Sequence, residues 1–495
     1  MPIMDEPTSL DPQIADSNSE KLVAANCYEG LVRIMADGTI GKGVATDWNI
    51  SDDGLTYTFK LRNNSHWAMF SGHKAVLGEN YEDTFDITVK AEDFKFGIER
   101  TLSEQTGSAD APLFSAVKSI STPDDFTIVF NLSYADDNFL YALTNPGAMP
   151  CDEEFFNLTN GKYGLDAKYL LCNGPFHVSK WTEKTSVKLV KNNEYNGESS
   201  VSPSSVTFYI NNNDSEVADK MNSVTYDVAF LSSSQFSSIE NKKDLNSVAV
   251  QNVTYSFIFN QNDNNYRNKN MRLAFCRSCD TSSLFDSQSD ISKADGIVPP
   301  SCKIGGEDYR NGNAAELLSY DETLAKKNFN DALLELGSSS VETTILCTEQ
   351  YEPFVKQMVQ KLQKTLGVKF VSTVKVVSES DLEAAVNDGN YSVAFYPFKA
   401  KSSFAGEIIE GFDQNNIFGY ESDVLSQKIR NIKNNSGSLE GERSAVADAE
   451  NYLVSEAVIM PVFYENSYFV TSKKTSGIYF YSSADNVCFI NGKKS

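Results

Sequence analysis

Histidine and tryptophan are both scarce in this chain, three of each among 495 residues. With His66, His73 and His177 as its only imidazoles, a Ser-His-Asp triad has few bases to draw on. No GxSxG, no HExxH and no GxxxxGK followed by Ser or Thr occurs, so nucleophile-elbow, zincin and phosphate-loop chemistry lack their residues. Acidic pairs are common, but in a chain this acidic their abundance does not mark a glycosidase. There is no run of about 18 apolar residues, so no helix is expected to span a bilayer. The opening Met1-Pro2-Ile3-Met4-Asp5 has neither a basic n-region nor an apolar h-region and does not read as a secretion signal. Basic residues are in the minority, 43 against 67 acidic ones, for a formal charge of −24. Such a surface repels phosphate backbones, and no basic stripe carries interleaved aromatics, so nucleic acid is excluded as a partner.

What the chain does have is length and aromatic mass. Its 495 residues exceed one ordinary core and imply two or three structural units. The 23 Tyr and 31 Phe are enough to fill those cores and still line a cleft, where flat rings bury ligand area at little entropic cost. The eight cysteines include a CxxC, Cys276-Arg-Ser-Cys279. No histidine pair stands at a spacing that would complete a zinc site with it. The CxxC falls inside a helix expected over 270–279, where a thioredoxin-type site would want it opening one after a strand. Packed thiols, or a bond from this pair to Cys302, are the expectation, with no metal and no cofactor.

The organisation follows from periodicity. Residues 55–61 alternate, with Leu55, Tyr57, Phe59 and Leu61 on one face, after the turn Ser51-Asp52-Asp53-Gly54. A helix is expected over 19–32. Another over 91–102 carries Phe94, Ile98 and Leu102 on one core-facing stripe, with Glu92 and Asp93 at its positive end. Strands are expected at 126–132, 176–180, 186–191, 205–210, 224–230, 248–253 and 255–260. Then comes an α/β run: helix 323–336 stopped by Gly337, strand 341–347, helix 353–366, strand 368–377, helix 381–386 and strand 392–398. That order favours parallel strands with a crevice at their carboxyl ends, where Phe395, Tyr396 and Phe398 stand.

Several short segments recur in an order that carries a resemblance. They are Leu10-Asp11-Pro12, Tyr28-Glu29-Gly30-Leu31, Gly43-Val44-Ala45, the strand ending Lys60-Leu61-Arg62, and Ala91-Glu92-Asp93-Phe94. Asn173-Gly174-Pro175-Phe176, Lys191-Asn192-Asn193-Glu194-Tyr195, Asn270-Met271-Arg272-Leu273 and Met460-Pro461-Val462-Phe463-Tyr464 follow. In this order and spacing the chain resembles the family 5 extracytoplasmic solute-binding proteins (oligopeptide, dipeptide and nickel binders), which serve ABC importers. The resemblance implies an α/β, two-lobed periplasmic-binding-protein-like fold of type II, cluster C. Lobe I would comprise 1–44, 166–258 and 466–495, with an additional subdomain at 45–165, and lobe II 259–465. It also implies a monomer that is not an enzyme and works with permease membrane subunits. Its place would be outside the cytoplasm, as a periplasmic protein or a cell-surface lipoprotein whose signal has been removed.

Two hinged lobes can close over a solute, and the solute favours the closed state only through contacts made there. The wall residues implied are Tyr28 and Glu29 from the first lobe, and Phe395, Tyr396, Phe398, Lys399 and Lys401 from the second, with Tyr255 and Phe257 at the crossover. One departure stands out. Peptide binders of this family commonly place a tryptophan and then an aspartate after the strand equivalent to 392–398, and the aspartate pairs with the peptide's α-ammonium. Here the segment reads Tyr396-Pro397-Phe398-Lys399-Ala400-Lys401-Ser402-Ser403-Phe404. If Ser402-Ser403-Phe404 marks the register, Pro397 stands where the aspartate would be, and the lysines reverse the local charge. An ammonium buried opposite unpaired lysines is costly. Two ligand classes fit: an oligopeptide held through its backbone, its end charge met by another acid such as Glu29, or a non-peptide or anionic solute that uses the lysines. Nickel would want histidine or several polar anchors. A surface receptor or adhesin that keeps the fold without transport is the remaining reading.

Overall fold

A computed structural model describes residues 1–495 except 36–38, 137, 198–199, 282–284, 286–289, 400–403, 414–415, 436–437 and 482–485. The chain forms two compact units, Met1–Ala249 with Tyr468–Ser495, and Val250–Ser467.

The first unit opens with helix α1 (Asn18–Cys27), set by a capping box in which Ser17 and Glu20 satisfy each other's backbone donors. It ends at Tyr28, short of the expected 32, because Tyr28 turns to an extended conformation. Strands β1 (Ala45–Ile50) and β2 (Thr56–Leu61) form a hairpin, joined after helix α2 (Ala91–Leu102) by β3 (Val117–Asp124) and β4 (Thr127–Leu132). The antiparallel order is β1-β2-β4-β3. Tyr57, Phe59 and Leu61 are buried as the alternation requires, and the Phe59 ring meets Phe130 edge-on at 5.8 Å. On α2, Phe94 and Ile98 are wholly buried, but Leu102 is 37% exposed. Thr101 takes the inward position instead and donates to the Gly147 carbonyl at 2.7 Å. A second sheet is an antiparallel meander of β5 (Phe176–Thr182), β6 (Ser186–Lys191) and β7 (Ser205–Ile210), with Pro2–Ile3 parallel on its edge.

The chain leaves this unit inside β8 (Leu245–Phe259), one strand where the sequence suggested two. In the second unit follow α3 (Lys269–Ser278), α4 (Glu322–Leu336), β9 (Val341–Thr348), α5 (Glu352–Leu366), β10 (Phe370–Val377), α6 (Glu379–Asn387) and β11 (Val393–Lys399). Helices α7 (Asp423–Asn434) and α8 (Leu439–Ser455) precede the returning strand β12 (Ile459–Ser472). These strands lie in the order β12-β8-β11-β9-β10 within a seven-stranded sheet. As the β-α-β-α-β pattern predicts, β9 is parallel to both β10 and β11, while β8 runs antiparallel to β11.

Side chains alternate across this sheet into two cores. Phe257, Phe259, Val393 and Phe395 point toward α3, α4 and α5, where Phe275, Phe329 and Met358 meet them. Ile258 and Ala394 point the other way, toward α6, α7 and α8 with Leu382, Ile429 and Leu453. Each fully buried side chain of this size contributes roughly 1.5–3 kcal/mol. The cysteines follow the same division. Cys276 and Cys279 lie in the first of these cores and Cys302 in the second. All eight cysteines are free, so of the two expectations the bond to Cys302 is not made, and the thiols pack. Among the described residues no helix is long and apolar enough to cross a membrane.

Candidate ligand-binding site

In the first unit, segments far apart in sequence converge on Glu29. Where α1 ends, the Glu29 amide donates to Asn173 Oδ1 at 3.0 Å, and Asn173 Nδ2 returns a bond to the Glu29 carbonyl at 2.8 Å. Gly174 packs against the same turn: its amide donates to the Cys27 carbonyl, and a Cβ there would stand 2.6 Å from the Tyr28 nitrogen. Only glycine permits that approach. Asn192 Nδ2 donates to the Gly174 carbonyl at 2.9 Å, and three residues on the Tyr195 hydroxyl donates to Glu29 Oε1 at 3.1 Å. From the β2 end, Arg62 pairs with Glu29 Oε2 and donates to the Gly43 carbonyl. Burial first, then the Glu29 carboxylate, pushes the Tyr195 phenol far up.

Beside this clamp lies a cavity of about 280 Å³, whose walls include Tyr28, Glu29, Arg33, Met149, Tyr195 and Tyr479. It is close to the small end of ligand pockets, about 300–1,000 Å³, and mixes apolar walls with a few polar groups as such pockets do. Two residues expected at the site, Tyr28 and Glu29, therefore share a cavity, though each is at most 5% exposed. Glu29 already carries a cation, so its negative charge is neutralised within the protein. That makes it a poor receiver for a ligand ammonium.

In the second unit, Phe257 and Phe395 are wholly buried and present no surface to a solute in this structure. They back an aromatic cluster on one face of the sheet, in which half-buried Tyr255 lies 4.3 Å from Tyr351 and 5.4 Å from Phe395. Tyr396 and Phe398 are half-buried on the opposite face, Phe398 stacking on Phe412 at 5.8 Å. The register explains the split, since Tyr255 pairs with Pro397 and Phe257 with Phe395, while Tyr396 and Phe398 pair with Ser256 and Thr254. Lys399 is exposed at the β11 end, and Lys401 lies outside the described residues.

The sequence reading missed Arg62, Arg33, Tyr195 and Tyr479 in the first unit, and Tyr351 and Glu465 in the second. Three carried a signal. Arg62 closes the β2 landmark, Tyr195 ends Lys191-Asn192-Asn193-Glu194-Tyr195, and Glu465 directly follows Met460-Pro461-Val462-Phe463-Tyr464. Among the described residues no group of three or more His, Cys, Asp and Glu could hold a metal ion.

A profile of the bacterial extracellular solute-binding proteins, family 5 (middle region), matches residues 39–418. The dipeptide-binding protein DppE of Bacillus subtilis is 24% identical over 496 aligned residues, covering 96% of this chain and 88% of that protein. Among solved structures, the peptide-bound OppA of Listeria monocytogenes superposes with a TM-score of 0.77 at 21% identity, covering 100% of this chain and 98% of that one. A dipeptide-binding protein from a Pseudoalteromonas species, in complex with Met-Leu, gives a TM-score of 0.78 at 18% identity, covering 100% and 99%. The fold is therefore the two-lobed solute-binding fold that these structures share.

Proposed function

We propose, from the premise that this chain belongs to the bacterial extracellular solute-binding proteins of family 5, that it captures an oligopeptide outside the cytoplasm and hands it to the membrane subunits of an ABC importer. The observation that carries this is a match running nearly end to end to a relative named for dipeptide binding, and over 74% of this chain to one named for oligopeptide binding. The family is one of binding proteins, and the chain's shortage of histidine suits a binder that performs no chemistry. The protein acts as a monomer, either free in a periplasm or tethered by lipid at the cell surface. The division into lobe I (1–44, 166–258, 466–495), an additional subdomain (45–165) and lobe II (259–465) belongs to the same reading. The contacting residues are Tyr28 and Glu29 from the first unit and Tyr255, Tyr396, Phe398 and Lys399 from the second. An anionic solute is less well supported, because Lys399 stands within electrostatic reach of Glu465, whose other charged neighbour is Glu379.

Thermal unfolding with a synthetic pool of tri- to pentapeptides tests this. The pool is expected to raise the midpoint in proportion to the logarithm of its concentration, while the same residues as free amino acids leave it unchanged. No shift with any peptide length would overturn the peptide reading.

A further inference from the structure

Four buried acids of this protein are each paired with a cation, whereas Glu20 and Asp93, also buried, are met by hydroxyl and amide donors. Glu29 pairs with Arg62, Asp11 with Arg100, Glu450 with Arg310 and Asp110 with Lys21. Each of these four carboxylates is at most 4% exposed, and each has a cation within the protein. Glu465, half-buried on β12, has a neutral donor in place of a cation partner. Its Oε1 accepts the Tyr351 hydroxyl at 2.5 Å, and the Tyr351 oxygen in turn accepts Gln350 Nε2 at 3.1 Å. Among the described residues no Lys or Arg lies within ion-pair distance of Glu465.

Its place in the fold is where α/β sheets bind ligands, outside the carboxyl ends of parallel strands. Tyr351 follows the end of β9, Glu379 follows the end of β10, and Lys399 closes β11. Glu379 and Lys399 both act electrostatically on Glu465. Tyr255 packs beside Tyr351, its ring 4.3 Å from the Tyr351 ring. The Glu465 carboxylate thus has an oriented donor, an aromatic wall and a net acidic neighbourhood. Burial, first of all, pushes its carboxyl up from the ordinary range, so a cation beside it would restore the charged form.

We infer that Glu465 receives the α-ammonium of the bound peptide, held in position by Tyr351 and, through it, Gln350, and so supplies the acid missing from the 396–404 segment. This rests on the peptide reading above. A primary ammonium makes charge-assisted bonds to the carboxylate and lies against the Tyr255 face, an arrangement favourable to cations. Glu29, the acid suggested by sequence, is excluded from the role by its pairing with Arg62. Lys399 does not oppose the ammonium as the sequence suggested, because the carboxylates of Glu465 and Glu379 outnumber it.

The test is titration calorimetry of the intact protein with a synthetic pool of tetra- and pentapeptides, and with the same pool N-acetylated. The native chain is expected to bind the free pool about thirtyfold more tightly, near the lower end of what truncating one partner of a buried charge pair costs. Glu465→Gln keeps the size and the acceptor for Tyr351, and is expected to bind both pools equally. Equal binding of both pools by the native chain would overturn the inference and leave the peptide reading standing. Binding of neither pool would overturn both. An undiminished preference in Glu465→Gln would give the role to another acid. The first arm needs no variant, so a folding defect in Glu465→Gln leaves the inference falsifiable.

Discussion

Arg310 and Glu450 form the most heavily bonded ion pair in the second unit. Glu450 accepts from the amides of Ile297 and Val298 at 2.7 and 2.9 Å, from the Tyr309 hydroxyl at 3.0 Å, and from both terminal nitrogens of Arg310. Arg310 also donates through Nε to the Val298 carbonyl at 2.7 Å. Removing the cation would leave a carboxylate 1% exposed with no opposite charge. Arg310→Ala is therefore expected to cost about 3–5 kcal/mol, read as faster native-state hydrogen exchange at the Ile297 and Val298 amides. His73 gives a second residue-scale expectation. It is 1% exposed, its Nε2 faces the Leu170 carbonyl at 3.1 Å, and its Nδ1 has no partner. Burial, with a smaller effect from His177, lowers its pKa from 6.5 to about 4. A base depressed in the folded state binds fewer protons there than when unfolded, so its contribution is complete above pH 6.5 and is lost as pH falls toward 4. The loss reaches roughly 3 kcal/mol across that window. With three histidines in the chain, ring NMR resolves the point: the His73 signal should not move between pH 8 and 5, whereas a midpoint near 6.5 would refute its burial as a neutral ring.

At the scale of elements, what could be read from sequence was what a single local rule controls. Helix α2 has the bounds its stripe predicts, and α4 and α5 begin one residue ahead of theirs, because period and stop signals agree in each. Strand β8 was harder. Its residues 246–249 are exposed, so no apolar alternation marks them, and pairing with neighbouring strands decides its length. Helix α1 overran in the sequence reading because Tyr28 and Leu31 continue an apolar pattern. The chain leaves the helix there to meet Asn173 and Gly174, a partner distant in sequence. Leu102 was placed inward for the same local reason, and tertiary packing chose Thr101. The α4 terminus offers a direct check. Gly337 caps it at φ +64° in the left-handed region, and a Cβ there would meet nothing within 4 Å. Gly337→Ala should then cost only the backbone term, about 1 kcal/mol in denaturant unfolding, and a much larger loss would reveal a contact beyond the backbone.

At the scale of the whole molecule, the ordered landmarks led to the family, and the structure gives a physical reason for several of them. Residues 28–31, 43, 62, 173–175, 192 and 195 form one clamp around Glu29. Their spacing in sequence marks a three-dimensional constraint that no single segment displays. The charge pattern was only partly legible. Sequence showed that the segment around Lys399 lacks an acid, but that Glu29 is neutralised by Arg62 and that Glu465 has a neutral donor in place of a cation depends on side-chain geometry. The central claim is that this protein binds peptides, and native mass spectrometry tests it most directly. The intact protein is offered an equimolar mixture of synthetic tri- to pentapeptides and small carboxylate and phosphate anions. The account predicts one peptide per chain, retained in preference to every anion. Retention of an anion with no peptide bound would contradict it.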